Sequence, residues 1–184
     1  MLKKTLIAFA VIVIVFVIIV ATRRADFRIT RSATIAAPAE VVFAQVNEFK
    51  KWEAWSPWAK LDPAMKQTYA GPAAGTGASY AWAGNNEVGE GRMTLTESRT
   101  NELIRIKLEF LKPFTAVNST EFTFKPDGKQ TTVTWDMSGT NNFISKAFCM
   151  FMDMDKTVGG DFDKGLAQLK SVAEAAAKKQ PAAP

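Results

Sequence analysis

The sequence predicts an α+β domain behind one apolar helix, and three patterns indicate this. Residues 6–21 form an unbroken apolar run near the start of the 184-residue chain. Between residues 66 and 138, apolar and polar residues alternate in short segments separated by turn residues, which is typical of an antiparallel sheet with one covered face. After residue 143 the apolar residues recur at helical spacing. We therefore expect about seven strands covered by a long C-terminal helix.

The apolar run predicts a membrane anchor over residues 1–24. A spanning helix needs about 20 residues, so the run at 6–21 reaches both interfaces only with the help of its neighbours. Flanking threonines and the long side chains of Arg23 and Arg24 can supply that extra length. We expect residues 5–22 to contact the membrane.

A cleaved signal peptide is the alternative for this segment, because it also combines a basic start with an apolar stretch. Against cleavage, no A-x-A site follows, and Arg23 and Arg24 occupy the place where a cleavage site would lie. The orientation stays open. A very short N-terminal tail favours an extracytoplasmic domain, whereas the count of positive charges on either side argues for the opposite.

Composition excludes several classes of function. The chain has no His and a single Cys, Cys149. Most transition-metal sites and all His-dependent nucleophilic catalysis are therefore excluded, as is a disulfide within the chain. The net charge of +5 comes from scattered basic residues without a stripe, which suits anionic headgroups better than nucleic acid. We expect no metal, no cofactor and no nucleic-acid partner.

The predicted elements follow from the change of period along the chain. A strand at 27–35 leads to Pro38, which suits the first position of a helix, and a second short helix precedes Ser56-Pro57. Period-two alternation then places six further strands, whose boundaries are set by Gly, Pro and Asn. These predicted strands are 66–70, 79–83, 90–98, 103–111, 115–125 and 131–138.

The C-terminal region predicts the helix that covers the sheet. Residues 143–177 carry helical periodicity, with an interruption expected at Gly159–Gly160 because two glycines weaken a helix. The folded domain is expected to cover residues 25–177, and residues 178–184 to form a disordered tail.

Several segments together resemble a known family. They are Ile35–Phe43, Trp55-Ser56-Pro57-Trp58, Gly89–Met93, Thr132–Trp135 and Phe162–Leu169. In their order and residues they resemble the helix-grip superfamily, which includes START lipid-transfer domains and polyketide cyclases. The resemblance is greatest to bacterial polyketide cyclase/dehydrase-like proteins and covers about residues 27–175.

This resemblance implies a fold and a kind of site. It implies the helix-grip fold, in which a curved antiparallel sheet wraps around the long C-terminal helix, with a tunnel between them that holds a hydrophobic ligand. For a bacterial protein with the anchor described above, it implies a single-pass protein of the inner membrane. It does not specify the ligand.

Aromatic and apolar residues on the predicted inner face are the ligand-binding candidates, with ordinary core packing as the alternative for each. The three tryptophans from Trp52 to Trp58 favour core or pocket entrance over membrane contact. Asn118 and Thr120 are polar on an apolar face, so they bond each other and the backbone or face a ligand. The candidates are Trp55, Trp58, Tyr80, Trp82, Met93, Phe110, Asn118, Thr120, Trp135, Met137 and Phe151.

Catalytic candidates are few. Glu87 or Glu90 would be a general base if an apolar environment raised its pKa, as a cyclase would need. The favoured alternative is a solvated hairpin with a surface ion pair.

The leading hypothesis is a membrane-anchored domain that binds a hydrophobic small molecule, such as a lipid, a quinone or a polyketide-like compound. The first alternative is a cyclase or dehydrase that uses a carboxylate in the cavity. The second is a protein-interaction module, although the outer strand faces show no apolar patch that would favour it. The oligomeric state is left open.

Overall fold

The structure, a computed structural model, describes residues 2–179, and that part of the chain has the predicted α+β architecture. Its strands are β1 Asp26–Ile35, β2 Lys66–Ala70, β3 Ser79–Ala83, β4 Glu90–Arg99, β5 Leu103–Lys112, β6 Ala116–Asp127 and β7 Gln130–Thr140. Its helices are α1 Leu2–Thr22, α2 Ala39–Val46, a 3₁₀ helix Phe49–Ala54, α3 Phe143–Cys149 and α4 Met154–Lys179.

The seven strands form one antiparallel sheet in the order β1-β7-β6-β5-β4-β3-β2. Strands β2 to β7 are joined to their sequence neighbours, while β1 pairs with β7, so Asp26 lies opposite Thr140 and Ile35 opposite Thr131. The predicted strands are confirmed, and their ends lie within two residues of those expected. The sheet and the long C-terminal helix are those of the helix-grip fold, and the apolar helix α1 precedes it.

Helix α4 is held on the sheet by stacked aromatic rings. Trp135 of β7 stacks on Phe162 of α4 with 4.0 Å between ring centroids and 6° between planes. Phe122 of β6 stacks on the same indole at 4.8 Å. Large offset or stacked rings bury much apolar area and add a specific geometric preference. We call Trp52, Trp55, Trp58, Phe122, Trp135 and Phe162 the aromatic cluster.

The 3₁₀ helix explains the three-residue spacing of the tryptophans. With three residues per turn, Trp52 and Trp55 fall on one side of this helix, and their rings lie 4.5 Å apart. Their indole N–H groups donate to the carbonyls of Val46 at 2.9 Å and Gln45 at 3.1 Å. Both side chains are buried, so these two belong to the core. Trp58 lies half-buried at the edge, 5.9 Å from Trp135.

The expected interruption at Gly159–Gly160 is wrong, because the helical region breaks earlier, between α3 and α4. Two side chains define that break. Asn142 accepts the N–H of Ser145 at 2.8 Å and so caps α3, while Asp153 accepts the N–H of Lys156 at 3.0 Å and so caps α4. Helix α4 also continues to Lys179, two residues beyond the expected domain end, and residues 180–184 of the expected tail lie outside the described residues.

Gly159 has a packing reason to be glycine. Arg31, on the inner face of β1, bonds Asp155 (Nη2 to Oδ2, 3.0 Å) and Asp163 (Nε to Oδ2, 3.2 Å) of α4. A Cβ at Gly159 would overlap the Arg31 guanidinium, whereas a Cβ at Gly160 meets nothing within 4 Å. The close approach of Arg31 therefore needs glycine at only one of the two positions.

This difference gives a matched pair of substitutions. Gly160→Ala should raise the free energy of unfolding by about 1 kcal/mol, because alanine favours the helix interior over glycine. Gly159→Ala should lose that gain, because its methyl group displaces Arg31 and both ion pairs. Denaturant unfolding of the full chain in mild detergent, followed by tryptophan fluorescence, measures both. Equal gains in the two variants would contradict the Arg31 contact.

Candidate ligand-binding groove

The inner face of the sheet is covered unevenly. Helix α4 lies mainly over β1 and α2, and the aromatic cluster fills the space beneath it. Farther across the sheet, on β2, β3 and the neighbouring parts of β4 and β5, a strip of apolar and aromatic side chains of the inner face is only half-buried, whereas Leu95, Ile104 and Ile106 of β4 and β5 are buried in the core. We call this strip the inner-face groove. It is formed by Tyr69, Tyr80, Trp82, Met93, Leu108 and Phe110.

The aromatic rings of the groove contact one another in a row. Tyr69 and Tyr80 lie 5.2 Å apart, Tyr80 and Trp82 stack at 5.9 Å, and Trp82 meets Phe110 edge-on at 6.1 Å. The Trp82 indole N–H donates to the Val88 carbonyl at 2.9 Å, which fixes the orientation of the ring. The groove therefore offers a continuous and pre-organised apolar surface.

Gly91 lets the Trp82 ring lie flat across the sheet. The two residues are register partners on β4 and β3. A Cβ at Gly91 would overlap two carbons of the Trp82 ring. A side chain at this position would push the indole out of the row that it forms with Tyr80 and Phe110.

Polar groups adjoin the groove on β6 and β7. Thr120 and Met137 are nearly buried at 4% and 6% exposure, and Asn118 is half-buried. The Asn118 amide nitrogen lies 3.9 Å from the Met137 sulfur, a weak contact. Among the described residues, neither the Asn118 carbonyl oxygen nor the Thr120 hydroxyl has a hydrogen-bond partner. Both oxygens can therefore bond a ligand or water.

A third polar group without a partner lies deeper. The indole nitrogen of Trp135 is the one side-chain nitrogen or oxygen in residues 2–179 that is completely inaccessible to solvent and has no hydrogen-bond partner. An unsatisfied buried donor costs about 1–3 kcal/mol, so its presence calls for a reason. The rings of Trp55 and Trp58 lie nearly perpendicular to the Trp135 ring, with centroids 5.8 and 5.9 Å away.

The eleven sequence candidates divide among four places. Tyr80, Trp82, Met93 and Phe110 line the groove, and Asn118, Thr120 and Met137 adjoin it. Trp55 and Trp135 are buried in the aromatic cluster, with Trp58 at its edge. Phe151 lies outside the groove and is 82% exposed in the connection between α3 and α4.

Sequence reasoning missed two groove residues, Tyr69 and Leu108. Leu108 alternates in phase with Phe110 on β5, so the period of that strand contained the signal. Tyr69 faces Tyr80 across the β2–β3 pair, and only that register shows it.

Glu87 and Glu90 lie apart from the groove lining. Glu87 is exposed in the β3–β4 turn. A carboxylate oxygen of Glu90 accepts a hydrogen bond from the Lys112 ammonium at 2.6 Å, in an ion pair open to solvent. Across the same strands Arg92 pairs with Glu109 at 2.9 Å. The arrangement corresponds to the alternative stated from sequence, a hairpin with surface ion pairs.

Two open clefts mark other parts of the surface. One, of about 560 Å³, lies mainly on the polar outer face, where it is lined by Thr96, Lys107 and Ser119 among others, and it also includes the candidate Asn118. The other, of about 590 Å³, lies where β1 begins and is lined by Phe27, Phe151 and neighbouring residues. Neither is the tunnel between sheet and α4 that the resemblance implies, because the aromatic cluster fills that place.

Comparison with known families agrees with this architecture. The model of the family described as polyketide cyclase/dehydrase and lipid transport matches residues 26–174. The match covers the whole sheet and most of α4, and the chain belongs to this family. No curated protein sequence is a significant match.

Solved structures share the fold at low sequence identity. A protein from Thermobifida fusca is 21% identical with a TM-score of 0.62, covering 80% of this chain and 93% of that one. The di-domain aromatase/cyclase StfQ of the steffimycin biosynthetic pathway is 11% identical with a TM-score of 0.62, covering 84% and 52%. The Aha1 dimer from Colwellia psychrerythraea is 15% identical with a TM-score of 0.57, covering 80% and 96%.

The groove gives a pH-dependent prediction, because the chain's only tyrosines, Tyr69 and Tyr80, both lie in it. Burial is the main cause that raises the pKa of each phenol to about 12, with the Glu53 carboxylate adding to it. Titration followed at 295 nm should show phenolate forming near pH 12 in the folded chain, and near pH 10 in denaturant.

The raised pKa values of the two phenols also predict how the free energy of unfolding changes with pH. Between about pH 10 and 12 the folded state holds protons that the unfolded state has released, so stability should fall as pH rises through this window. A folded-state midpoint at the ordinary pKa of tyrosine would contradict the burial of these rings.

Proposed function

We propose that α1 anchors the domain in a membrane and that the inner-face groove binds an apolar small molecule, of the lipid, quinone or polyketide-like class. The observation that carries this proposal is the row of half-buried rings from Tyr69 to Phe110. Such rings would lie beneath a helix if they served only the core. Their partial exposure leaves apolar area that a ligand can cover.

The energetics of binding follow from that area. Covering apolar surface releases roughly 25 cal/mol per Å², so a ligand that covers the ring row gains most of its affinity by leaving water. The free oxygens of Asn118 and Thr120 would fix its orientation through one or two hydrogen bonds.

The anchor part of the proposal is supported by α1. This helix has 21 residues and is long and apolar enough to cross a membrane, although a signal sequence meets the same test. Its side chains are exposed apart from Val20, so it is not a core helix of the domain. We propose an uncleaved, single-pass anchor of a bacterial inner membrane, with the domain on the extracytoplasmic side.

A cyclase or dehydrase reaction is the second candidate, favoured by the description of the family and by the groove's place on the sheet. It would need an acid or base beside the bound ligand. Glu87 and Glu90 would have to leave their present positions to serve, whereas the Tyr80 phenol already faces the groove and can donate a hydrogen bond. A pH-rate profile that is unchanged in Glu87→Gln and Glu90→Gln variants would remove both carboxylates.

Ligand binding is tested on the full chain, purified in detergent and examined by native mass spectrometry with a panel of lipids and quinones. Met93→Glu places a charge in the groove, so it should abolish binding of any adduct that the unaltered chain retains. Thr96→Glu, an exposed position on the same strand β4, is the matched control and should leave binding unchanged.

Two results would overturn the carrier proposal. One is the absence of any adduct across the whole panel with the unaltered chain. The other is equal loss of binding in Met93→Glu and Thr96→Glu, which would place the ligand elsewhere. Matching circular dichroism spectra of both variants would show that the comparison concerns folded proteins.

A further inference from the structure

The exposed apolar side chains of the domain gather at one end of the sheet. Register places Asp26 opposite Thr140, Glu90 opposite Lys112 and Lys66 opposite Ala83, so the β5–β6 turn and the segment after β7 share this end. In the described chain outside α1, the large apolar side chains that are exposed all lie here or one strand residue away. They belong to α3 and its following turn, to the β5–β6 turn, and to the loop before β2.

Helix α3 contributes the largest share. Ile144, Phe148 and Phe151 are 66%, 53% and 82% exposed. Their spacing of four and then three residues places them along one stripe of α3 and the turn that follows it. Phe114, in the β5–β6 turn at the same end of the sheet, is 62% exposed. We call these four residues, with Phe143, Leu111 and Val117 beside them, the apolar rim.

The connection to α1 keeps this end close to where α1 finishes. Only Arg23, Arg24 and Ala25 separate α1 from β1. Three residues extend over at most roughly 10 Å. The headgroup layer on each side of a bilayer is itself several ångströms thick, so β1 must begin at or just above that layer if α1 spans the hydrocarbon core.

A direct contact fixes α3 beside the end of α1. The Lys146 ammonium donates to the carbonyls of Ala21 at 2.9 Å and Arg23 at 3.1 Å. These carbonyls have no partner within the helix, and a cation there also complements the helix dipole. Val20, one residue earlier, is fully buried. The rim is therefore held at the level at which α1 ends.

We infer that the apolar rim is embedded in the headgroup and upper acyl region of the leaflet from which α1 emerges, so that the domain stands end-on on the membrane. This inference rests on the proposed anchoring by α1. Seven large apolar side chains exposed at one end of a domain are unusual on a soluble surface, whereas an interfacial layer stabilises them. Trp82 and Phe110 lie one and two residues from this end, so the groove opens toward the lipid and an apolar ligand enters it without crossing water.

The test uses the full chain with Cys149→Ala, which removes the only thiol. Single cysteines at Ile144, Phe114 and Phe151 are labelled with nitrobenzoxadiazole in vesicles of phosphatidylcholine and phosphatidylglycerol. Some of the lipids carry an acyl-chain nitroxide. Labels at all three rim sites should be blue-shifted and quenched by the nitroxide lipid.

Two further labels separate the possible failures. Lys129→Cys, in the exposed β6–β7 turn at the far end of the sheet, should show neither effect. Val13→Cys, in the middle of α1, reports insertion of the anchor. If Val13 is quenched and the rim sites match Lys129, the inference fails while the anchor stands.

Two further results would also overturn the inference. If Val13 is not quenched, α1 does not span the bilayer, and the inference fails together with the anchoring proposal. A blue shift at the rim without nitroxide quenching would mean that protein, such as a second copy of this chain, covers the rim, and would overturn the assignment to lipid. The rim side chains are exposed, so these substitutions leave the core intact.

Discussion

The stack of Trp135 on Phe162 is the contact on which the rest of the domain depends. It joins the last strand to the last helix across 4.0 Å, and the indole of Trp55 and the ring of Phe122 close around it. Removing a buried ring of this size costs about 3–5 kcal/mol, which is a large part of the stability of a domain this long. With α4 held at β7 and β1, the helix cannot also cover β2 to β5. The inner-face groove is the consequence.

The position of the aromatic cluster also determines where on the sheet there is room for a ligand. In the place where the family resemblance implies a tunnel, the rings leave the Trp135 indole nitrogen buried and no oxygen within reach. In the proposed function, the ligand therefore binds on the open part of the sheet, where Tyr80, Trp82 and Phe110 stay partly accessible.

Much of this architecture could be predicted from the sequence, because strand periodicity is a local property. The alternation around Leu108 and Phe110 fixed β5, and Pro38 fixed the start of α2. Glycine propensity predicts the break in the helical region at Gly159–Gly160, whereas the N-cap formed by Asp153 places it before α4. The reason why Gly159 is tolerated, the approach of Arg31, joins residues 128 positions apart, and no local pattern contains it.

Prediction of the candidate site from the sequence is limited in the same way, because the exposure of a side chain depends on contacts between distant residues. Sequence placed Trp82 and Trp135 on the inner face of the sheet but could not distinguish buried rings from half-buried ones, because that depends on where α4 crosses the sheet. A helical pattern likewise does not show that Ile144 and Phe148 are exposed. An apolar stripe predicts that one face of a helix is buried, but it does not show which surface covers that face. Under the proposed anchoring by α1, the bilayer is the surface that covers this stripe. The connection at Arg23–Ala25 is then too short for the domain to turn the rim away from the bilayer, so the anchor would also determine which end of the sheet meets lipid.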